Sequence, residues 1–181
     1  MDTLSAIHFR QALVRSDGTG RTVYGVAVPY GQTVDIEEFG QAYKEQFAPG
    51  SFARSIRERG DKVKLCVNHE SRKLPIGRAT ELRETADGLH AAFAVSATRD
   101  GDEALQLVRD GVVDSFSVGF RPVRDRRDGD VVVRVEASLW EVSLVSWPAY
   151  AGAGVTGVRT AHPALSVDIA RRRLELLLRT W

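Results

Sequence analysis

Apolar and polar positions alternate along most of this chain in short runs of period two, punctuated by Gly, Asp-Gly and Pro. Residues 6–15 and 21–28 are two such runs, and Ser16-Asp17-Gly18-Thr19-Gly20 between them predicts a β-hairpin. Pro29-Tyr30-Gly31 breaks the pattern, so residues 31–42 read as a loop and 43–47 as a short strand. Pro49-Gly50-Ser51 then introduces a short amphipathic helix over 52–60, with Phe52 and Ile56 four apart and Gly60 at its end. A strand over 62–67 follows. Runs at 76–84 and 89–95 flank Thr85-Ala86-Asp87-Gly88 and predict a second hairpin. Asp100 and Glu103 have capping-box spacing and open a second helix through Arg109, which Gly111 ends. Residues 118–124 and 131–135 flank a turn at 126–130, and a further strand carries Glu141 and ends in Trp147-Pro148-Ala149. The Gly- and Ala-rich residues 150–163 predict a linker. Leu174, Leu177, Leu178 and Trp181 then fall at i, i+3, i+4 and i+7 and predict a C-terminal amphipathic helix.

Many hairpin-joined strands with few helices predict a mainly β, α+β fold: a small closed β-barrel flanked by a few helices, with a helical tail. The length suits one barrel domain over 1–155, followed by a linker and C-terminal helix over 156–181. Lys+Arg number 25 against 24 Asp+Glu, a net charge of +1, so no global field recommends nucleic acid or an anionic membrane as partner. No apolar run reaches the length of a bilayer span, and the N-terminus lacks the pattern of a secretory signal. The single cysteine, Cys66, permits no internal disulfide and reads as a small buried hydrophobe. Neither His-x-x-x-His nor Cys-x-x-Cys spacing occurs, so no metal or other cofactor is expected.

The candidate chemistry lies in Gly111–Phe120, where small nucleophiles interrupt an apolar strand. Alternation puts Ser115 and Ser117 on one face and Phe116 and Val118 on the other. A serine becomes a useful nucleophile only beside a base that a third group orients. Two other stretches supply such groups: Asn68-His69-Glu70, just after an apolar strand, and Glu141-Val142-Ser143-Leu144-Val145. Of the four histidines, only His69 follows an apolar strand within a polar loop, which makes it the candidate base. His8 and His90 sit at alternating strand positions and His162 in the linker, while Glu70 reads as a solvated charge. Glu141 is the candidate orienting carboxylate, and Ser143 shares its face. The strand-to-helix elbow Gly-x-Ser-x-Gly is absent, which disfavours a serine esterase of that type.

Taken in order, these stretches resemble the prohead (capsid maturation) serine proteases of tailed bacteriophages. The resemblance rests on Asn68-His69-Glu70, Ser117-Val118-Gly119-Phe120, and Glu141-Val142-Ser143-Leu144-Val145-Ser146-Trp147-Pro148-Ala149. It extends to Tyr24-Gly25-Val26-Ala27-Val28 and Phe47-Ala48-Pro49-Gly50-Ser51-Phe52, and so covers roughly residues 20–155. It implies a barrel like that of the herpesvirus assemblins and selects Ser117 over Ser115 as nucleophile, with His69 as base and Glu141 behind it. In assemblins the third member is a histidine, which keeps His90 as a substitute for Glu141. Arg121, Arg78 or backbone N–H groups would serve as oxyanion donors. The implied activity is that of a serine endopeptidase processing the major capsid protein, its scaffold segment and the protease itself. It would act as a homo-oligomer in the prohead, inside the immature capsid in the host bacterial cytoplasm. The alternative of a different class is a non-catalytic capsid-assembly or scaffolding protein that retains the barrel.

Overall fold

The computed structural model describes residues 8–13, 20–38, 40–146 and 155–159. Within them the chain forms β1 (His8–Leu13), β2 (Thr22–Pro29), β3 (Val34–Glu38), β4 (Gln41–Phe47), α1 (Ala53–Arg59) and a 3-10 turn, Gly60–Lys62. It continues with β5 (Lys64–Val67), β6 (Gly77–Glu84), β7 (Gly88–Val95), α2 (Arg99–Arg109), β8 (Ser115–Asp128), β9 (Val131–Val145) and β10 (Val155–Arg159). The strands make one sheet in the order β1-β8-β9-β5-β6-β7-β2-β10, with β3 on β4 and β4 on β9.

The architecture is mainly β with few helices, but the expected closed barrel is not formed. Closure needs a ladder between the end strands of the path. Here β1 pairs with β8 and β10 with β2, and among the described residues no ladder joins β1 to β10. The hairpin expected at the N-terminus is replaced for the same reason, since β2 pairs with β7 and β10 instead of β1. Alternation identifies a strand and its two faces, whereas its partner is chosen by contacts far along the chain. The span read as a loop over 31–42 contains β3, which forms a hairpin with β4 around Gly40, whose φ is 75°. The span read as a linker contains β10. The C-terminal helix expected after it lies outside the described residues.

The strand β9 is the spine of the sheet. It runs antiparallel to β8 over most of its length and parallel to β4 and β5 on its other edge. Those two parallel partners cover only Val131–Arg134 and Glu141–Leu144, which leaves a gap between them. Helix α1 and the residues before it fill the gap: Ala137 N–H donates to Ser51 O at 2.8 Å, and Leu139 N–H to Ser55 Oγ at 2.8 Å. Buried backbone donors are thus satisfied where no strand is available. The core packs Phe47, Phe52 and Phe120 as a ring cluster with centroids 5.0–6.4 Å apart, together with Leu65, Leu89, Leu105, Leu139 and Leu144. Glu84 accepts from the Tyr30 hydroxyl and, at 2.8 Å, from Phe52 N–H, and so ties the start of α1 to β6 and the end of β2.

Between Gly119↔Glu141 and Phe120↔Leu139 the ladder shifts by one residue, so Trp140 is an extra residue on β9. This bulge decides which side chains face where. Without it Leu139 and Glu141 would share a face. With it Ala137, Leu139, Val142 and Leu144 all enter the core, while Glu141 and Ser143 turn to the opposite face. Helix α2 is capped two residues before the expected Asp100, because Thr98 accepts from Gly101 N–H at 3.2 Å.

The Ser55 hydroxyl accepts from the buried Leu139 N–H beside the bulge, so Ser55→Ala is expected to lower stability by about 1–3 kcal/mol in urea denaturation. A change within a few tenths of a kcal/mol would mean that this contact does not hold β9 against α1.

Candidate active site

Three adjacent strands present the site. The registers Ser117↔Ser143 on β8 and β9, and Cys66↔Ser143 on β5 and β9, align Ser117, Ser143 and Cys66 in one row. Gly119, Glu141 and Lys64 form the next. Beneath this face Phe116, Val118, Val142, Leu144 and Leu65 are buried in the core, which fixes the strands that carry it.

His69 reaches this face by an unusual route. After Val67 the chain bends through two residues with positive φ, Asn68 at 49° and His69 at 55°. This left-handed conformation is disfavoured for residues other than glycine, with Asn and His among those that enter it most readily. Three bonds hold the bend. Asn68 N–H donates to Leu144 O at 3.0 Å, Glu70 N–H to Val67 O at 3.0 Å, and His69 N–H to Ser143 Oγ at 3.0 Å. The imidazole is thereby placed between β8 and β9. Its Nε2 lies 2.5 Å from Ser117 Oγ and its Nδ1 lies 2.6 Å from Glu141 Oε1.

Ser143 secures two members of this line at once. Its hydroxyl accepts from the His69 backbone and donates to Glu141 Oε2 at 2.8 Å. One carboxylate oxygen of Glu141 is held by Ser143 and the other by the imidazole; Glu141 is 9% exposed and Ser117 is fully buried. The chemistry open to this arrangement is proton transfer from a serine hydroxyl to an imidazole whose cationic form a buried carboxylate stabilises.

Other candidates fall elsewhere. Ser115 shares the face of Ser117 but lies opposite Val145, and its hydroxyl donates to Asp114 Oδ1 at 2.7 Å. His90 is on β7, separated from β9 by β5 and β6, with Nε2 3.2 Å from Asp87 Oδ2. Arg121 lies over the Trp140 ring with its guanidinium carbon 4.7 Å from the centroid, and Arg78 is exposed on β6 beside Lys64. Glu70 is exposed. His8 and His162 offer no described side chain. Among the described residues, no group of three or more His, Cys, Asp or Glu side chains could hold a metal ion.

Cys66 departs from its expected place in the core. Parallel pairing puts its neighbour Leu65 in the core and turns Cys66 to the site face, half-buried, where its thiol hydrogen-bonds Glu141. Burial first, and then the Glu141 carboxylate, push the thiol up to about 11. It therefore stays protonated near neutral pH and is no rival nucleophile. Two clefts meet at Cys66. One, of about 350 Å³, runs past His69, Glu141 and Trp140. The other, of about 230 Å³, lies between the loop after β5 and α2, lined by Val67, Leu74 and Leu107 among others.

Comparison with known proteins agrees with the motif order. A family model described as the caudovirus prohead serine protease matches residues 10–165, and the chain belongs to that family. It is 27% identical over 117 residues to the prohead protease of Enterobacteria phage HK97, an alignment covering 62% of this chain and 52% of the relative. With the prohead protease of Escherichia phage T5 it shares 33% identity over 86 residues, or 46% of this chain and 40% of the relative. The chain thus spans about half the length of the curated relatives it matches. Among solved structures, it is similar to the capsid assembly protease of bacteriophage T4, with a TM-score of 0.48 and 9% identity, covering 71% of this chain and 98% of the other.

Proximity of Cys66 to Glu141 is testable without any assay of activity. Alkylation of Cys66 should follow a pH profile centred on about 11. Glu141→Gln removes a negative charge that disfavours the thiolate, so the profile should move to lower pH and labelling at pH 9 should quicken. An unmoved profile would separate the thiol from the carboxylate.

Proposed function

We propose that the chain is the serine endopeptidase domain of a phage capsid maturation protease, with Ser117 as nucleophile, His69 as general base and Glu141 as orienting carboxylate. The observation that carries this reading is the unbroken line Ser117 Oγ–His69 Nε2–Glu141, at 2.5 and 2.6 Å, in a chain of the prohead serine protease family.

In the productive tautomer His69 Nδ1–H donates to Glu141 and leaves Nε2 free to accept the Ser117 proton. Ser117 Oγ attacks the scissile carbonyl, its proton passes to Nε2, and the imidazolium is stabilised across the Nδ1–H bond by Glu141. The imidazolium then protonates the leaving amine. Water, deprotonated by the same Nε2, hydrolyses the acyl-enzyme and returns Ser117 to its starting form. The Ser143 bond supports this cycle by keeping Glu141 from rotating away from the imidazole.

The substrates in this reading are the major capsid protein, its scaffold segment and the protease itself, within the immature shell in the host cytoplasm. Association of several copies there would bring the domains to their substrates at high local concentration.

Incubation with a major capsid protein from the same phage, followed by fragment masses, tests the reading. Ser117→Ala and His69→Ala should each abolish processing while circular dichroism is unchanged, because triad members act as a unit. Processing by Ser117→Ala would refute the nucleophile, and loss in Ser115→Ala would then move it two residues earlier. Glu141→Gln should slow cleavage by about 10²–10⁴-fold. A rate within twofold of the parent would instead leave Glu141 as a structural carboxylate.

A further inference from the structure

The larger of the two clefts is lined on one side by His69 and Glu141 and elsewhere by cations: Arg59, Lys62, Lys64 and Lys73. Its one carboxylate is Glu141, which is already engaged by His69 and Ser143. Among the described residues, Lys62 has an exposed ion pair with its neighbour Asp61 at 2.6 Å. Among the same residues, Arg59, Lys64 and Lys73 form no ion pair within 4 Å, although Lys64, after Lys62, is near enough to Asp61 to help hold its carboxyl down. Arg59 lies over the Trp140 ring with its guanidinium carbon 4.8 Å from the centroid, and its buried Nε has no hydrogen-bond partner. A buried donor left unsatisfied carries a desolvation penalty that a ligand's acceptor would remove.

Such a concentration of cations is notable in a chain of net charge +1. The smaller cleft, on the other side of Cys66, carries Glu70, Asp100 and Glu103 against a single cation, the shared Lys73. The two grooves that meet at Cys66 and Lys73 therefore differ in their balance of charge, and a peptide laid across them would meet a mainly cationic wall at one end and a mainly acidic one at the other. Clefts lined by one sign of charge concentrate ligands of the other. The apolar ring of Trp140 between Arg59 and Arg121 also supplies a surface for the aliphatic part of a side chain.

We propose that this cleft is a specificity site for an acidic substrate segment, in which Lys64, Lys62 and Arg59 bind a Glu or Asp side chain close to the cleaved bond. The assignment rests on the proposed function only for its placement of that bond beside Ser117. Lys64 is its centre, because register with Glu141 puts it on the site face one strand from the imidazole's partner. The cleft volume, about 350 Å³, admits a side chain of this size together with water.

Binding and cleavage are measured separately, so that the two readings can fail independently. The full chain carrying Ser117→Ala is titrated against a pair of short fluorescent peptides identical except that glutamates in one are glutamines in the other. The Glu peptide should bind about 10-fold more tightly at low salt, the difference should shrink as salt screens it, and K62E/K64E should erase it. The wild-type chain is then given a peptide pool, and its cleavage sites should be enriched in Glu or Asp near the cut bond, an enrichment lost in K62E/K64E. Equal binding of both peptides, or a preference insensitive to both salt and charge reversal, would overturn the proposal. A preference for the Glu peptide in a chain that cuts nothing would uphold the cleft and refute the protease reading. Both lysines are exposed, and the salt series on the unsubstituted lysines decides the matter should the double variant fold poorly.

Discussion

One strand, β9, must face two ways, and the bulge at Trp140 is how it does so. A strictly alternating strand could not send Leu139 and Val142 into the same core while presenting Glu141 and Ser143 outside it. The inserted residue resets the phase at the one point where the core under β4 gives way to the site beside β5. Helix α1 and the turn before it make the bulge tolerable, Ser51 O accepting from Ala137 N–H and Ser55 Oγ from Leu139 N–H, and Trp140 itself is left half-exposed under two arginines. Fold and site thus meet in a single local departure from regular pairing.

Downstream of that constraint, precision is gained by short polar contacts on a rigid frame. Ser117 has little freedom between Phe116 and Val118, both packed into the core, and Glu141 is anchored by the buried Val142 that follows it. The mobile member of a serine–histidine pair is ordinarily the imidazole. Here it follows a backbone in two successive left-handed residues, a conformation that persists only where surrounding contacts impose it. Those contacts are the bonds to Leu144 O and Ser143 Oγ, both on β9. The strain at Asn68 and His69 is therefore balanced by the same strand that supplies the carboxylate.

Much of this was legible in the sequence, and the limits have physical reasons. Alternation around Ser117 gave its face correctly, and Asn-His-Glu after an apolar strand marked the one histidine placed to turn back over the sheet. The second hairpin was visible because Asp87-Gly88 is a local signal. What the sequence concealed was non-local: that β1 would leave β2 for β8, that the sheet would stay open, and that β10 would occupy residues read as linker. Cys66 was misplaced because an apolar run with parallel neighbours gives no sign of which face meets the core. The bulge has no local marker either, since Trp140 reads as one more strand residue. The cationic cleft gathers Arg59, Lys62, Lys64 and Lys73 from separate turns and strands, so that the nearly neutral total charge masked it.

The central claim is that Ser117 is made nucleophilic by His69, and mapping the adduct of a serine-directed fluorophosphonate tests it most directly. Tandem mass spectrometry of the labelled chain should place the phosphonyl group on Ser117 alone, with labelling lost in His69→Ala and weakened in Glu141→Gln. An adduct on Ser115, or labelling of Ser117 that proceeds undiminished without His69, would contradict the account.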